Sequence, residues 1–147
     1  MQIRDVMTRD VKVVNPDTPL RDAARMMREI DTGFLPVGQN DRLVGTVTDR
    51  DITVRCVAEG SDPNNTMVRQ AMTDELVYCY EDQDTAEAAE LMGRRQIRRL
   101  PILNREKRLV GVLSLGDIAH ETGDEGPVAE ALDQISEHKT TGGMGHA

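Results

Sequence analysis

The chain repeats itself, and that constrains its fold more than any other feature. "DVMTRDVKVVNPDTPLRDAARMM" (5–27) aligns without a gap on "QAMTDELVYCYEDQDTAEAAELM" (70–92). Met7-Thr8 falls on Met72-Thr73, Asp17 on Asp82, Ala23-Ala24 on Ala88-Ala89 and Met27 on Met92. "FLPV" (34–37) then matches "RLPI" (99–102). One extra residue in the next loop brings "RLVGTVTDRDI" (42–52) onto "RLVGVLSLGDI" (108–118). The stretch "AEGSDPNNTM" (58–67), with its Gly, Pro and Asn, reads as the loop between the copies.

Each copy presents the same order of signals. A short strand (Val11–Val14; Leu76–Tyr78) leads into a turn rich in Asp and Pro or Asp and Gln. A helix follows, with Leu20, Ala23, Ala24 and Met27 on one face at i, i+3, i+4 and i+7; Thr85, Ala88, Ala89 and Met92 repeat the spacing. Two strands come next, around 34–37 and 43–48 and again around 100–103 and 109–114, and a second helix opens at Thr48 or Ser114. The unit is β-α-β-β-α and the fold class α/β (α+β). A unit so small leaves much of its apolar surface uncovered, so two repeats packed around a pseudo-twofold axis are expected. The first repeat is assigned to 1–57, the linker to 58–67 and the second repeat to 68–121. Residues 122–147 have no counterpart: "PVAEALDQISEH" (127–138) reads as an amphipathic helix and "KTTGGMGHA" as a disordered tail.

Composition removes several functions. With 26 acidic against 18 basic residues the net charge is −8, which disfavours nucleic acid and anionic membranes as partners. One Phe, two Tyr and no Trp leave few stacking platforms for a single strand. No run approaches the roughly 18 apolar residues a membrane span needs, and no signal-peptide pattern opens the chain, so a cytoplasmic location is expected. Cys56 and Cys79 stand in no metal-like or CxxC spacing and are read as reduced, packed thiols. The histidines (His120, His138, His146) have no spacing for a metal or a triad. No nucleophile elbow, Walker or Rossmann pattern is present, so an enzyme is not expected. Met26, Met27 and Met92 are core candidates.

Thr48 followed by Asp51 is, taken alone, a capping box. Its echo at Ser114 and Asp117 invites a second reading, in which a hydroxyl and a carboxylate held at a strand–helix junction grip a ligand. The openings "DVMT" and "QAMT", the middles "FLPV" and "RLPI" and the closings "LVGTVTDRDI" and "LVGVLSLGDI" together resemble a pair of CBS domains, a Bateman module, over about residues 1 to 121. That resemblance implies a regulatory cleft binding an adenosine ligand such as AMP, ADP, ATP or S-adenosylmethionine. It implies no required cofactor. The family's hydroxyl–carboxylate motif falls on Thr48 with Asp51 and on Ser114 with Asp117. A carboxylate can accept a hydrogen bond from each hydroxyl of a ribose diol.

The basic position before the hydrophobic-Pro step transfers to Arg99, and with less force to Arg98, as phosphate donors. The first copy departs here, with Gly33 and Phe34. The second departs at Leu115-Gly116, where the first has Asp49-Arg50; Arg50 reads either as a phosphate contact or as a partner of its acidic neighbours. Pro36 and Pro101 stand beside the basic position in the candidate set, though their direct reading is as strand-edging residues. A stand-alone regulatory module is thus expected, a homodimer by the habit of the resembled family, signalling to an unknown protein partner. The rival reading is a protein-interaction or dimerisation module with vestigial clefts.

Overall fold

The computed structural model describes residues 1–122 and 127–136. These form two compact units. The first is Lys12–Leu76; the second joins Met1–Val11 to the chain from Val77 onward.

In the first unit, α1 (Leu20–Ile30) leads to the antiparallel strands β1 (Phe34–Gln39) and β2 (Arg42–Thr48). Asn40 and Asp41, both at positive φ (55° and 63°), make the tight turn between them, as a twisted two-residue hairpin requires. Helix α2 (Asp49–Ile52) runs straight into a π turn at Thr53–Val57. Alternation in the hairpin separates two faces. Leu35 opposite Val47 and Val37 opposite Gly45 face the core, with Leu20, Ala23, Met27 and Cys56. Phe34 opposite Thr48 and Pro36 opposite Thr46 lie on the other face.

The second unit repeats this with β3 (Cys79–Tyr80), α3 (Thr85–Arg95), β4 (Arg99–Leu103), β5 (Leu109–Ser114) and α4 (Leu115–Thr122), in sheet order β3-β4-β5. Arg105 ties the β4–β5 loop down: it bonds Asp82 twice, at 2.9 and 3.0 Å, and lies 4.1 Å from the centre of the Tyr80 ring. Its guanidinium holds the Asp82 carboxyl below the usual carboxylate range.

The leading strands differ from the sequence expectation. Val11–Val14 is reduced to one parallel bridge, Val14 to Val37, with Val14 N donating to Pro36 O (3.1 Å) and Gly38 N to Val14 O (2.8 Å). Extension either way would need an N–H from Pro16 or Pro36, and neither has one. In the second unit the strand is Cys79–Tyr80 rather than Leu76–Tyr78. Pro101 blocks the earlier residues, while Glu81 stands where Pro16 stood and donates its N–H to Leu103 O at 2.9 Å.

The compact units do not follow the repeat boundaries. A 3-10 turn at Val68–Gln70, from the opening of the second repeat, sits in the first unit, where Val68 and Ala71 are fully buried in its core. Thr73 then pairs with Thr46 of β2 through two backbone bonds, 2.8 and 3.0 Å. Arg55 adds two bonds to the carbonyls of Ala71 and Met72, both 3.0 Å. Reciprocally, Ile3–Asp5 opens the second unit, burying Ile3 and Met7 in its core and pairing Thr8 with Val112 of β5 at 2.9 and 3.0 Å. Each repeat's opening segment is built into the other repeat's sheet.

One asymmetry comes from outside the repeats. A helix α5 at 127–136 buries Val128, Ala131 and Ile135 in the second unit's core. It lies so close to α3 that a Cβ on Gly93 would come 3.0 Å from Ala131 Cα. The first repeat carries Arg28 at that position. Accordingly Ala89 is buried, whereas Ala24, expected on the same kind of face, is exposed. His138, His146 and the tail from Lys139 lie outside the described residues.

Candidate functional site

Both hydroxyl–carboxylate pairs are formed, and both are closed as reciprocal caps. Thr48, extended at φ −118° and ψ 164°, ends β2. Its Oγ1 accepts from Asp51 N (3.1 Å) while Asp51 Oδ2 accepts from Thr48 N (2.9 Å). At the end of β5, Ser114 Oγ accepts from Asp117 N (3.0 Å) and Asp117 Oδ2 from Ser114 N (3.2 Å). The simple reading of these pairs as helix starts is therefore correct, and each cap satisfies helix donors that would otherwise lack partners.

Capping does not exhaust the groups. A hydroxyl that accepts keeps its own proton to donate, and a carboxylate with one oxygen engaged keeps the other. Among the described residues the second carboxylate oxygens of Asp51 and Asp117 accept no bond. All four side chains are half-buried. Each turn thus offers one O–H donor and one carboxylate oxygen, fixed by the backbone bonds beside them.

Register decides what lies next to each turn. Arg99 is directly opposite Ser114, and Phe34 directly opposite Thr48. Directly opposed residues share a face with Cβ atoms about 5 Å apart. Arg99 is therefore on the same face as Ser114, beside the Ser114–Asp117 turn, and its side chain is exposed. Arg98 is also exposed and contributes its carbonyl to Leu115 N at 3.0 Å. Pro36 and Pro101 are buried on the faces that carry Thr48 and Ser114, two residues along from Phe34 and Arg99. Arg50 is exposed, with its N–H on Asp49 Oδ1 at 2.8 Å.

One feature escaped the reading of the sequence. The Asp49 carboxylate lies over Gly33: a Cβ there would sit 2.5 Å from Oδ2. Asp49 N donates to Gly33 O at 2.9 Å, fixing the approach. The signal was present as a paired exchange, Gly33 with Asp49 in one repeat and Arg98 with Leu115 in the other.

The cysteines stand apart from both turns. Cys56 and Cys79 are free and buried, Cys56 with its thiol on Ser61 O at 3.4 Å. Burial, helped by the charge of Glu87, pushes the Cys79 thiol up to about 11. Neither thiol is expected to react with an aromatic disulfide reagent at pH 8 in the folded protein, and both to react in denaturant. For Cys79 the unfolded thiol ionises first, so its contribution to stability is complete below 9.0 and is lost as pH rises towards about 11. A thiol count above zero in the native protein would contradict this.

Among the described residues no group of three or more His, Cys, Asp or Glu is placed to hold a metal ion, and no helix is long and apolar enough to cross a membrane. His120 is exposed.

The CBS domain family profile matches residues 3–57 and 68–124, which include both turns and both sheets. The chain belongs to the CBS domain family. Its relatives include the CBS domain-containing protein YhcV of Bacillus subtilis, 37% identical over 134 residues, which cover 91% of this chain and 94% of that protein. Hypoxic response protein 1 of Mycobacterium tuberculosis is 39% identical over 117 residues, 79% of this chain and 81% of that one. A crystal structure of Hypoxic Response Protein I with two coordinated zinc ions superposes with a TM-score of 0.73 at 37% identity, covering 82% of this chain and 98% of that one. The structure of CBSX2 in complex with AMP gives a TM-score of 0.71 at 28% identity over 81% of this chain and 93% of that chain. The tandem CBS pair expected from the repeat is thus the family of this chain, and its full-length relatives are stand-alone CBS proteins.

Proposed function

We propose that this CBS pair is a regulatory module that binds an adenosine ligand at the Thr48–Asp51 and Ser114–Asp117 turns and passes the bound state to a protein partner. The observation that carries the reading is the uncommitted O–H and carboxylate oxygen left at each turn after capping. A ribose diol is matched by that pair, with the carboxylate accepting from the sugar hydroxyls. Arg99, opposite Ser114, supplies a forked donor for phosphate, with Arg98 adjacent. Pro36 and Pro101 give each face an apolar floor. AMP, ADP, ATP and S-adenosylmethionine all carry the required sugar, and CBSX2 supports the class through its complex with AMP.

Regulation in this reading is a population shift: ligand favours one arrangement of the protein and thereby alters a surface that a partner recognises. We place the module in the cytoplasm as a homodimer. Ile30, Val54 and Val57 of the first unit, all exposed, offer apolar area for that association. No catalytic step is assigned to it.

A thermal-shift series with AMP, ADP, ATP, NAD and S-adenosylmethionine tests the reading. Ligand at 100 times its dissociation constant adds about 2.7 kcal/mol to stability, a rise of about 5 °C or more. Asp51→Ala and Asp117→Ala are expected to diminish the rise. No shift with any of the ligands would leave the interaction module as the better account. A shift untouched by both substitutions would move the site elsewhere.

A further inference from the structure

The two turns are built alike, yet their surroundings are opposite in charge. Beside Ser114 and Asp117 stand Arg99, directly across the sheet, and Arg98. The position that could hold a competing carboxylate there is Leu115, buried at 4% exposure. Gly116 follows it, and a side chain at that point would meet nothing closer than Ser114 Oγ at 3.7 Å. Arg99 therefore shares the face of Ser114, with Arg98 next to it in the chain, and no acidic side chain occupies position 115.

Beside Thr48 and Asp51 the pattern inverts. Phe34 takes the place of Arg99. The space that a side chain at position 33 would use is filled by the Asp49 carboxylate, held there by the bonds from Asp49 N to Gly33 O and from Arg50 N to Asp49 Oδ1. Gly33 and Asp49 thus fit together, because a side chain at 33 would have to displace this carboxylate. Asp49 and Asp51 flank the single cation Arg50 in the chain, and Phe34 stands where the other repeat has Arg99. A phosphate entering here would meet like charge at Asp49 and Asp51, with Arg50 between them and no guanidinium across the sheet where the other repeat has Arg99. An uncharged group would meet the apolar face of Phe34 instead.

We infer that the two turns are sorted by ligand charge: the Ser114–Asp117 turn takes a phosphorylated adenosine ligand, and the Thr48–Asp51 turn takes an adenosine ligand that carries no phosphate. This rests on the adenosine reading above and deepens it. Arg99 is the residue that selects for phosphate, and Phe34 with Asp49 is the pair that selects against it.

Calorimetric titration of the full chain with AMP and with adenosine separates the possibilities. AMP is expected to bind one equivalent per chain, and the AMP-saturated protein is expected still to bind adenosine. Arg99→Gln should weaken AMP at least tenfold and leave adenosine unchanged. Asp51→Asn should remove the adenosine bound by the AMP-saturated protein without affecting AMP. The double variant Phe34→Arg with Asp49→Leu should bind a second equivalent of AMP, and Phe34→Leu, a milder change, should leave AMP stoichiometry at one. The sorting is overturned if wild-type protein binds two equivalents of AMP, if AMP abolishes adenosine binding, or if Arg99→Gln weakens both ligands alike. Binding of neither ligand would overturn the adenosine reading itself, a different result from binding without sorting.

Discussion

A fragment of residues 1–57 is expected to lack a cooperative unfolding transition, whereas residues 12–76 are expected to show one. The first is the repeat as its sequence bounds it; the second is the unit as it packs. Ending the chain at 57 removes Val68 and Ala71, both fully buried with Leu20, Leu35 and Val47. Burying a valine is worth about 1.5–3 kcal/mol. The same cut removes the paired bonds between Thr46 and Thr73, the bonds from Val68 N to Thr18 O and Arg69 N to Pro16 O, and both acceptors of Arg55. At about 0.5–1.5 kcal/mol each, these losses are comparable with a whole domain's stability of about 5–15 kcal/mol. Retaining residues 1–11 does not help, because Ile3 and Met7 belong to the other core. Urea titration followed by far-ultraviolet circular dichroism decides the matter. A cooperative transition in 1–57 with the midpoint of 12–76 would show that the exchanged segments contribute little.

The second large effect is expected at two glycines. Gly45→Ala should destabilise the protein by about 1–3 kcal/mol, the usual cost of forcing a methyl into a packed site. A Cβ on Gly45 would lie 2.6 Å from the carbonyl oxygen of Thr73 and 3.2 Å from the Met72 sulfur. The carbonyl is backbone and is held by the Thr46–Thr73 pair, so relief requires parting the segment from β2. Gly111→Ala should cost less. There the nearest atom is the Met7 sulfur at 2.7 Å, on a flexible side chain, though Thr8 O follows at 2.8 Å. Chemical denaturation should rank the two variants in that order, with faster hydrogen exchange at Thr73 in the first. Changes within 0.5 kcal/mol, the range of neutral surface substitutions, would mean that the crossing segments yield easily.

These glycines show how much could be read in advance. "LVG" appears in both repeats, so its duplication was plain, but the reason for glycine is a carbonyl from a residue far along the chain. The candidate turns were legible because Thr48-x-x-Asp51 and Ser114-x-x-Asp117 are local patterns, and their caps formed at the residues expected. Arg99 enters the candidate set by its position before the hydrophobic-Pro step; that it stands opposite Ser114 follows from register, which sequence matching alone leaves open. The Asp49–Gly33 contact went unread, because each residue is ordinary until the fold lays one over the other. Strand limits were misjudged by a few residues, although the governing prolines at 16, 36 and 101 were in view. What they block depends on which neighbour the strand meets.

The sequence by itself determined the duplication, the β-α-β-β-α order and the two capping turns. All of these are set by spacing over a few residues, where backbone geometry leaves little choice. Tertiary structure alone decided that the openings "DVMT" and "QAMT" trade places. It also decided that α5 packs against α3, that Asp49 lies over Gly33 and that Arg99 stands opposite Ser114. Those outcomes depend on contacts between residues distant in the chain, which close approach at Gly33, Gly45, Gly93 and Gly111 makes possible.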